Sequence, residues 1–299
     1  MNDAELRSVR EELESGRSLI EEYISETKEA RSRGVTKKLF ESMEYSLCAG
    51  GKRIRPILCL AAAKRCGLQE RNALPMALAL EMLHTATLIH DDLPCMDNDD
   101  MRRGKPSNHA LFGETLAVLA GDALLAQSFE FPISHTEGVP AANLLRAIGI
   151  FTAAVGPAGV CGGQTLDMFK DAEPGCGAGR IAALKTGALI KAAVLTGAAL
   201  AGADDDLFAA CGKYAEHLGA AFQIVDDILD STSTAEELGK TPGKDVLQDK
   251  ITYVSEYGID RARTMAREES AAASAAIVKY FGSCDFLVLL PEYLVHRSN

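Results

Sequence analysis

The residues from Asn72 to His90 read NALPMALALEMLHTATLIH. The stretch is long, apolar and helical in pattern, and it runs straight into an acidic cluster. The same pattern repeats outward from it. Upstream, residues 1–34 are charged and helical, and LRSVREELESGRSLIEEYI carries apolar residues at helical spacing. GVTKKLFESMEYSLCAGGKRIRP is a second helix ending in glycines, and ILCLAAAKRCG is a short one closed by Gly67. Downstream follow HALFGETLAVLAGDALLAQSFEFP, AANLLRAIGIFTAAVGPAGVCGGQTLDMF and DLFAACGKYAEHLGAAFQIVDDILD. RIAALKTGALIKAAVLTGAALAGA is apolar almost throughout, the mark of a buried helix. After the loop STSTAEELGKTPGKD, helix resumes to the end. No strand alternation, linker or short-period repeat is visible. The expectation is one all-α domain over residues 1–299, with about ten or more helices, several of them central and buried.

Composition agrees. A chain of 299 residues that is 47% hydrophobic can bury a large core. Aromatics are 6%, Trp is absent, and Ala, Leu and Gly dominate, which favours helix over strand. The net charge of −11 argues against a nonspecific grip on nucleic acid or an anionic membrane. It leaves room for an anionic substrate held by local cations. The eight cysteines include no CxxC pair and no secretory leader precedes them, so they read as reduced thiols. The location expected is cytoplasmic; a plastid protein with its transit peptide removed would look the same. No apolar run reaches the roughly 20 residues of a membrane span.

Directly after the first stretch, residues 91–100 hold five aspartates: Asp91, Asp92, Asp97, Asp99 and Asp100. His84, Thr87 and Asp91 fall at offsets of three and seven, on one helix face. Pro94 cannot continue a regular ladder, so the helix should kink or stop there and Asp97 should reach back from a loop. A second cluster, FQIVDDILD, places Asp226 and Asp230 four apart and Asp227 and Asp230 three apart, with Gln223 one turn earlier. Such crowding is adverse without a counter-ion. A helix C-terminus already repels anions, and like charges about 4 Å apart cost on the order of 4 kcal/mol per pair near a surface. Carboxylates with open positions around them suit Mg²⁺, which keeps waters and recruits substrate phosphates. A solvated acidic loop explains one cluster as well; it explains two poorly.

Cations answer the acids. AGGKRIRP supplies Lys52, Arg53 and Arg55; DMRRGKPSNH supplies Arg102 and Arg103; GKTPGKDVLQDK supplies Lys240, Lys244 and Lys250. LKTG places Lys185 and Thr186 in a greasy helix, where a lysine is costly unless paired. Gln164 and Asp167 read equally as polar core pairing or as site residues.

GGKRIRP, HTATLIHDDLPCMDNDDMRRGKPSNH, LAGDALL, LKTG, FQIVDDILD and GKTPGKDVLQDKITY, in that order, resemble the trans-isoprenyl diphosphate synthases, which make farnesyl, geranylgeranyl and longer diphosphates. The resemblance runs from about Tyr45 to Tyr253 and more weakly beyond. It implies a single large helical barrel of the isoprenoid synthase type around a deep apolar pocket, as a homodimer. It implies that Asp91, Asp92 and Asp97 bind two Mg²⁺ ions and Asp226 a third, with Asp227 and Asp230 in support, so about three ions serve each site. It further implies that Arg102, Lys185, Thr186, Gln223 and Lys240 contact an allylic diphosphate, that Lys52, Arg55, His84 and Arg103 hold isopentenyl diphosphate, and that Lys250 stands at the mouth. The implied reaction is ionisation of the allylic diphosphate (dimethylallyl, geranyl or farnesyl), attack by the isopentenyl double bond, and proton loss. In resembling farnesyl synthases of bacterial type the fifth residue before the first aspartate is aromatic. Here it is Ala86, followed by Thr87, so a C15 tail should pass and geranylgeranyl diphosphate should form. If Phe129 blocks the pocket instead, the product is farnesyl diphosphate. A class I terpene cyclase is a more distant alternative, disfavoured by DDILD and by the second set of cations. A phosphohydrolase built on His90-Asp91 needs further histidines as ligands and the chain has only six, and a regulatory subunit would lack an aspartate-rich motif.

Overall fold

A computed structural model describes residues 1–169, 173–232 and 250–296. The sequence around Asn72–His90 becomes α5, Glu70–Asp91, and almost every side chain from Ala73 to Leu83 is buried. Before it come α1 (Asp3–Glu26), α2 (Lys28–Ser32), α3 (Lys37–Leu47) and α4 (Ile54–Arg65). Asn2 caps α1 through a reciprocal capping box with Glu5. The charged N-terminal stretch is thus two helices, parted at Thr27.

After α5 the chain makes a two-residue hairpin, β1 (Met101–Arg102) against β2 (Lys105–Pro106). The sequence shows no strand pattern there, because two residues per strand are too few to alternate. Then follow α6 (Asn108–Phe112), α7 (Glu114–His135), α8 (Ala141–Val155) and α9 (Val160–Met168). The apolar stretch expected as one buried helix is divided. α10 (Ala178–Ala182) passes through a π-turn, Ala183–Gly187, into α11 (Ala188–Leu200). The long α12 (Asp205–Thr232) follows, and α13 (Tyr253–Tyr257), α14 (Ile259–Phe281) and α15 (Phe286–His296) close the described chain.

The centre is made by α4, α5 and α11, each buried over most of its length. α7 packs on α5, α8 on α11, and α12 lies between α11 and α14. Ala at so many core positions lets these helices approach closely, while each fully buried Leu or Ile contributes about 1.5–3 kcal/mol. Side chains from Val9 to Leu294 join this core.

One expectation needs correcting. Among the described residues, four stretches are long and apolar enough, by length and composition, to cross a membrane: Glu70–Asp91, Glu114–His135, Ala141–Met168 and Ala178–Leu200. The physical reason is that a helix at the centre of a large all-α fold needs as much apolar length as one in lipid. The first and last are 78% and 67% buried inside the protein, whereas Glu114–His135 and Ala141–Met168 are 39% and 22% buried.

Candidate active site

The first acidic segment sits where α5 ends. Asp97 N–H donates to Asp91 O at 2.8 Å and Asp99 N–H to Asp92 O at 3.2 Å, so the loop after Pro94 folds back over the helix end as its sequence suggested. Burial pushes the Asp91 carboxyl above its usual range, against the pull of Lys185. Asp91 Oδ1 accepts from Gln164 Nε2 at 2.8 Å. Burial also raises Asp92, which is 2% exposed and is gripped by Arg102 from the hairpin, Nε donating to Oδ1 at 3.1 Å. Asp97 Oδ1 accepts from Lys250 Nζ at 3.2 Å. His90 turns the other way, its Nε2 lying 3.2 Å from Val118 O on α7, which places it against the neighbouring helix rather than among the acids.

The second segment lies on α12, and its two adjacent aspartates face different ways. Asp226 lines a cavity of about 500 Å³ with Lys52, Arg55, His84, Arg102 and Arg103. Asp227 lines a smaller one of about 100 Å³, with Asp167, Lys185, Thr186, Gln223 and Lys250. Asp227 Oδ1 accepts from Gln223 Nε2 at 2.8 Å and Oδ2 from Tyr253 N–H at 2.8 Å. Gln223 Oε1 in turn accepts from Thr186 Oγ1 at 2.7 Å. Asp230, also on α12, is buried. Both Lys185 and Thr186 reach the small cavity because the π-turn changes the helix phase at that point.

The larger cavity has its own electrostatic signature. Burial lowers Arg55 and Arg103 below the usual arginine range against the pull of Glu81, with Arg103 adding to the lowering of Arg55 and Arg53 and Arg102 to that of Arg103. His84 is pushed well below 6.5 by burial and then by Arg55, Arg103, Arg102 and Arg53, so it is neutral at pH 7. Arg55 Nε is buried without a hydrogen-bond partner among the described residues. Three groups whose charged forms are disfavoured, crowded into one cavity, make a receptor for a polyanion.

Gly51 is shaped for this crowding. Its φ is +134°, and a Cβ there would stand 2.8 Å from the Arg103 guanidinium carbon. Arg53 and Arg103 also adopt positive φ, 50° and 52°. Such backbone costs of order 1–3 kcal/mol for a non-glycine residue and is held by its surroundings. For Arg53 the surroundings are a buried ion pair, Nη1 to Glu81 at 2.6 Å, and a half-buried one, Nε to Glu21 at 2.8 Å. Of the cations in AGGKRIRP, then, Arg53 belongs to the core and Arg55 to the cavity, while Lys52 is exposed at its rim.

Sequence reasoning left Gln164 and Asp167 undecided; both enter the site. Asp167 Oδ2 accepts from Lys185 Nζ at 2.6 Å. Glu81 was missed altogether, although a charge in the most apolar helix was the available signal. Lys240 lies outside the described residues. Ala86 is buried, and Thr87 donates to His84 O at 2.8 Å; neither lines the two cavities. Among the described residues no three His, Cys, Asp or Glu side chains converge to cage a metal unaided.

Known proteins agree with this geometry. The family model described as polyprenyl synthetase matches residues 36–278. A "dimethylallyltranstransferase" of Fischerella ambigua is 46% identical over 269 residues, 89% of this chain and 78% of its own. A "geranylgeranyl diphosphate synthase" of Cyanophora paradoxa is 45% identical over 270 residues, 89% of this chain and 90% of its own. The crystal structure of a geranyltransferase from Legionella pneumophila superposes with a TM-score of 0.83 at 28% identity, covering 98% of each chain. An all-α fold with two cation-lined cavities beside paired aspartate-rich segments, matched along most of its length, makes this chain a trans-prenyltransferase of the polyprenyl synthetase family.

Proposed function

We propose that the chain condenses isopentenyl diphosphate with an allylic diphosphate and that its main product is geranylgeranyl diphosphate. The observation that carries the reading is the pair of cavities divided by α12, one lined by Arg55, His84, Arg103 and Asp226, the other by Lys185, Thr186, Gln223 and Asp227. A reaction between two diphosphates needs two anion sites, whereas a terpene cyclase needs one. In this reading Lys52, Arg55, His84 and Arg103 hold isopentenyl diphosphate, and neutral His84 donates a hydrogen bond without adding to the positive crowd. Lys185, Thr186, Gln223 and Lys250, which line the smaller cavity, bind and orient the allylic diphosphate together with Lys240 and with Arg102 from the wall of the larger cavity. Fixing the two substrates side by side replaces a chance encounter by an intramolecular step. Leu88 and Phe222, on the wall of the larger cavity, keep water from the reacting carbons.

The acidic side chains fit Mg²⁺. Every donor is a carboxylate oxygen, and a protein cage that no three of them complete suits an ion that keeps waters and takes phosphate oxygens. Asp91, Asp92 and Asp97 on one wall and Asp226 and Asp230 on the other would hold about three ions, with Asp227 in support. When bound, such ions stabilise the charge of the departing diphosphate.

Ala86 and Thr87 stand five and four residues before Asp91 on α5, about 7.5 and about 6 Å along the axis. Their small side chains suit passage of a C15 tail. Phe129, whose ring centroid is 5.3 Å from that of Phe151, is the competing floor that would stop the chain at farnesyl diphosphate. Leu111, Leu119, Ile133 and Leu145, exposed by 50%, 50%, 59% and 73% on α6–α8, favour a homodimer that covers them. The eight free thiols suit a reducing compartment, cytoplasm or plastid.

Incubation with isopentenyl diphosphate and, in turn, dimethylallyl, geranyl and farnesyl diphosphates tests the reading. A C20 product from all three primers is expected. Farnesyl diphosphate as the sole product overturns the product assignment, and primer hydrolysis without isopentenyl consumption overturns the condensation.

A further inference from the structure

One acidic side chain in the smaller cavity belongs to neither aspartate-rich segment. Asp167, on α9, has a side chain only 8% exposed. Its Oδ2 lies 2.6 Å from Lys185 Nζ and 3.7 Å from Lys250 Nζ, and Lys250 donates to Asp97 Oδ1 at 3.2 Å. The series Lys185, Asp167, Lys250, Asp97 therefore alternates in sign, and its members come from four separate parts of the chain. One turn earlier on α9 is Gly163, where any Cβ would run into the backbone of Lys185. Gly163 lets the π-turn come close, and Asp167 takes its ammonium group.

The cavity these groups share is about 100 Å³, the liquid volume of roughly three waters at ~30 Å³ each. Two ammonium groups beside so small a space repel each other and are costly to desolvate unless paired. Lysine also has a long flexible stem that must be held to be useful. Without Asp167, the carboxylates left to attract these lysines include Asp91 and Asp97, whose oxygens the metal needs.

We propose that Asp167 is a positioning residue for the allylic diphosphate: it fixes Lys185 and draws Lys250 across toward Asp97, so that both ammonium groups flank the cavity before substrate arrives. The inference rests on the reading that the allylic diphosphate binds in this cavity. Asp167 touches no reacting atom and acts through the two lysines.

The variant Asp167→Asn keeps the volume and removes the charge. Four quantities are measured: KM for the allylic primer, KM for isopentenyl diphosphate, affinity for inorganic pyrophosphate with magnesium by calorimetry, and thermal midpoint. The allylic KM and the pyrophosphate dissociation constant should each rise about tenfold or more, with isopentenyl KM within about twofold. In a Lys185→Met background the same change should add less than about threefold, because its effect is routed through that lysine. Asp167→Glu, which keeps the charge, should recover most of the loss. Full additivity with Lys185→Met, equal loss for both substrates, or wild-type pyrophosphate affinity in Asp167→Asn overturns the proposal. If Asp167→Asn does not fold, the same assays on Asp167→Ala decide: a selective allylic defect supports the proposal, and an equal defect for both substrates or no defect overturns it. A wild-type chain that elongates primers while Asp167→Asn does so equally well sinks this inference alone. A wild-type chain that elongates none sinks the functional reading, and this inference with it.

Discussion

The two cavities beside α12 hold similar residue types and opposite charge economies. In the larger, Arg55, Arg103 and His84 face one another, and burial disfavours the charged form of each. In the smaller, Lys185 and Lys250 are interleaved with Asp167 and Asp97. The difference teaches what each is prepared for. An unbalanced cavity gains most from an incoming anion, and its polyanion brings the missing charge itself. A balanced one holds its cations in place so that an anion and its metal ions can enter without rearranging them.

The largest effect expected comes from the wall between the cavities. Asp226→Asn should lower turnover by about 10³-fold, since it removes a carboxylate that would hold one of the metal ions opposite the departing diphosphate; single-turnover assays with saturating magnesium check it. Chelation of divalent cations should abolish elongation in the same assay. Next, Arg53→Met should cost about 3–5 kcal/mol of stability by leaving Glu81 buried and uncompensated, measured by denaturant unfolding. Its neighbour Arg55→Met should behave in the opposite way, raising isopentenyl KM by about 30-fold through a lost charge-assisted contact while leaving the unfolding midpoint unchanged or higher. If the two arginine variants gave the same phenotype, the contrast between core and cavity would fail.

Smaller effects sharpen the picture. Ala86→Tyr should shorten the main product toward C15 at a packing cost of about 1–3 kcal/mol, read by product sizing and thermal melting. The smallest is a pH effect at His84, whose folded value lies below 6.5. The unfolded chain binds a proton that the folded chain refuses, so the stability gained from keeping His84 neutral is present above 6.5 and lost as pH falls toward the folded value. His84→Asn should flatten that decline by up to about 1.4 kcal/mol per pH unit below 6.5, measured by denaturant unfolding across the acid range.

Helix content and both acidic segments were legible because they are local. Apolar spacing over Asn72–His90 predicts α5, and Pro94 predicts its end. The pairing of Lys185 was legible only as a requirement: a lysine in a greasy helix must have a partner, but the pattern could not say that it was Asp167. Arg53 and Arg55 look interchangeable in GGKRIRP; a positive φ at Arg53 and the ion pair with Glu81, 28 residues away, separate their roles.

The amino-acid sequence by itself determined the elements, the clusters of like charge, and the need for counter-ions, since these follow from side-chain periodicity and Coulomb repulsion between near neighbours. Only the tertiary structure decided which acid meets which base. Lys250 reaches Asp97 across 153 residues and Gln164 reaches Asp91 across 73. Such pairs form where packed helices happen to bring buried charges within hydrogen-bond range, and no local spacing encodes that encounter.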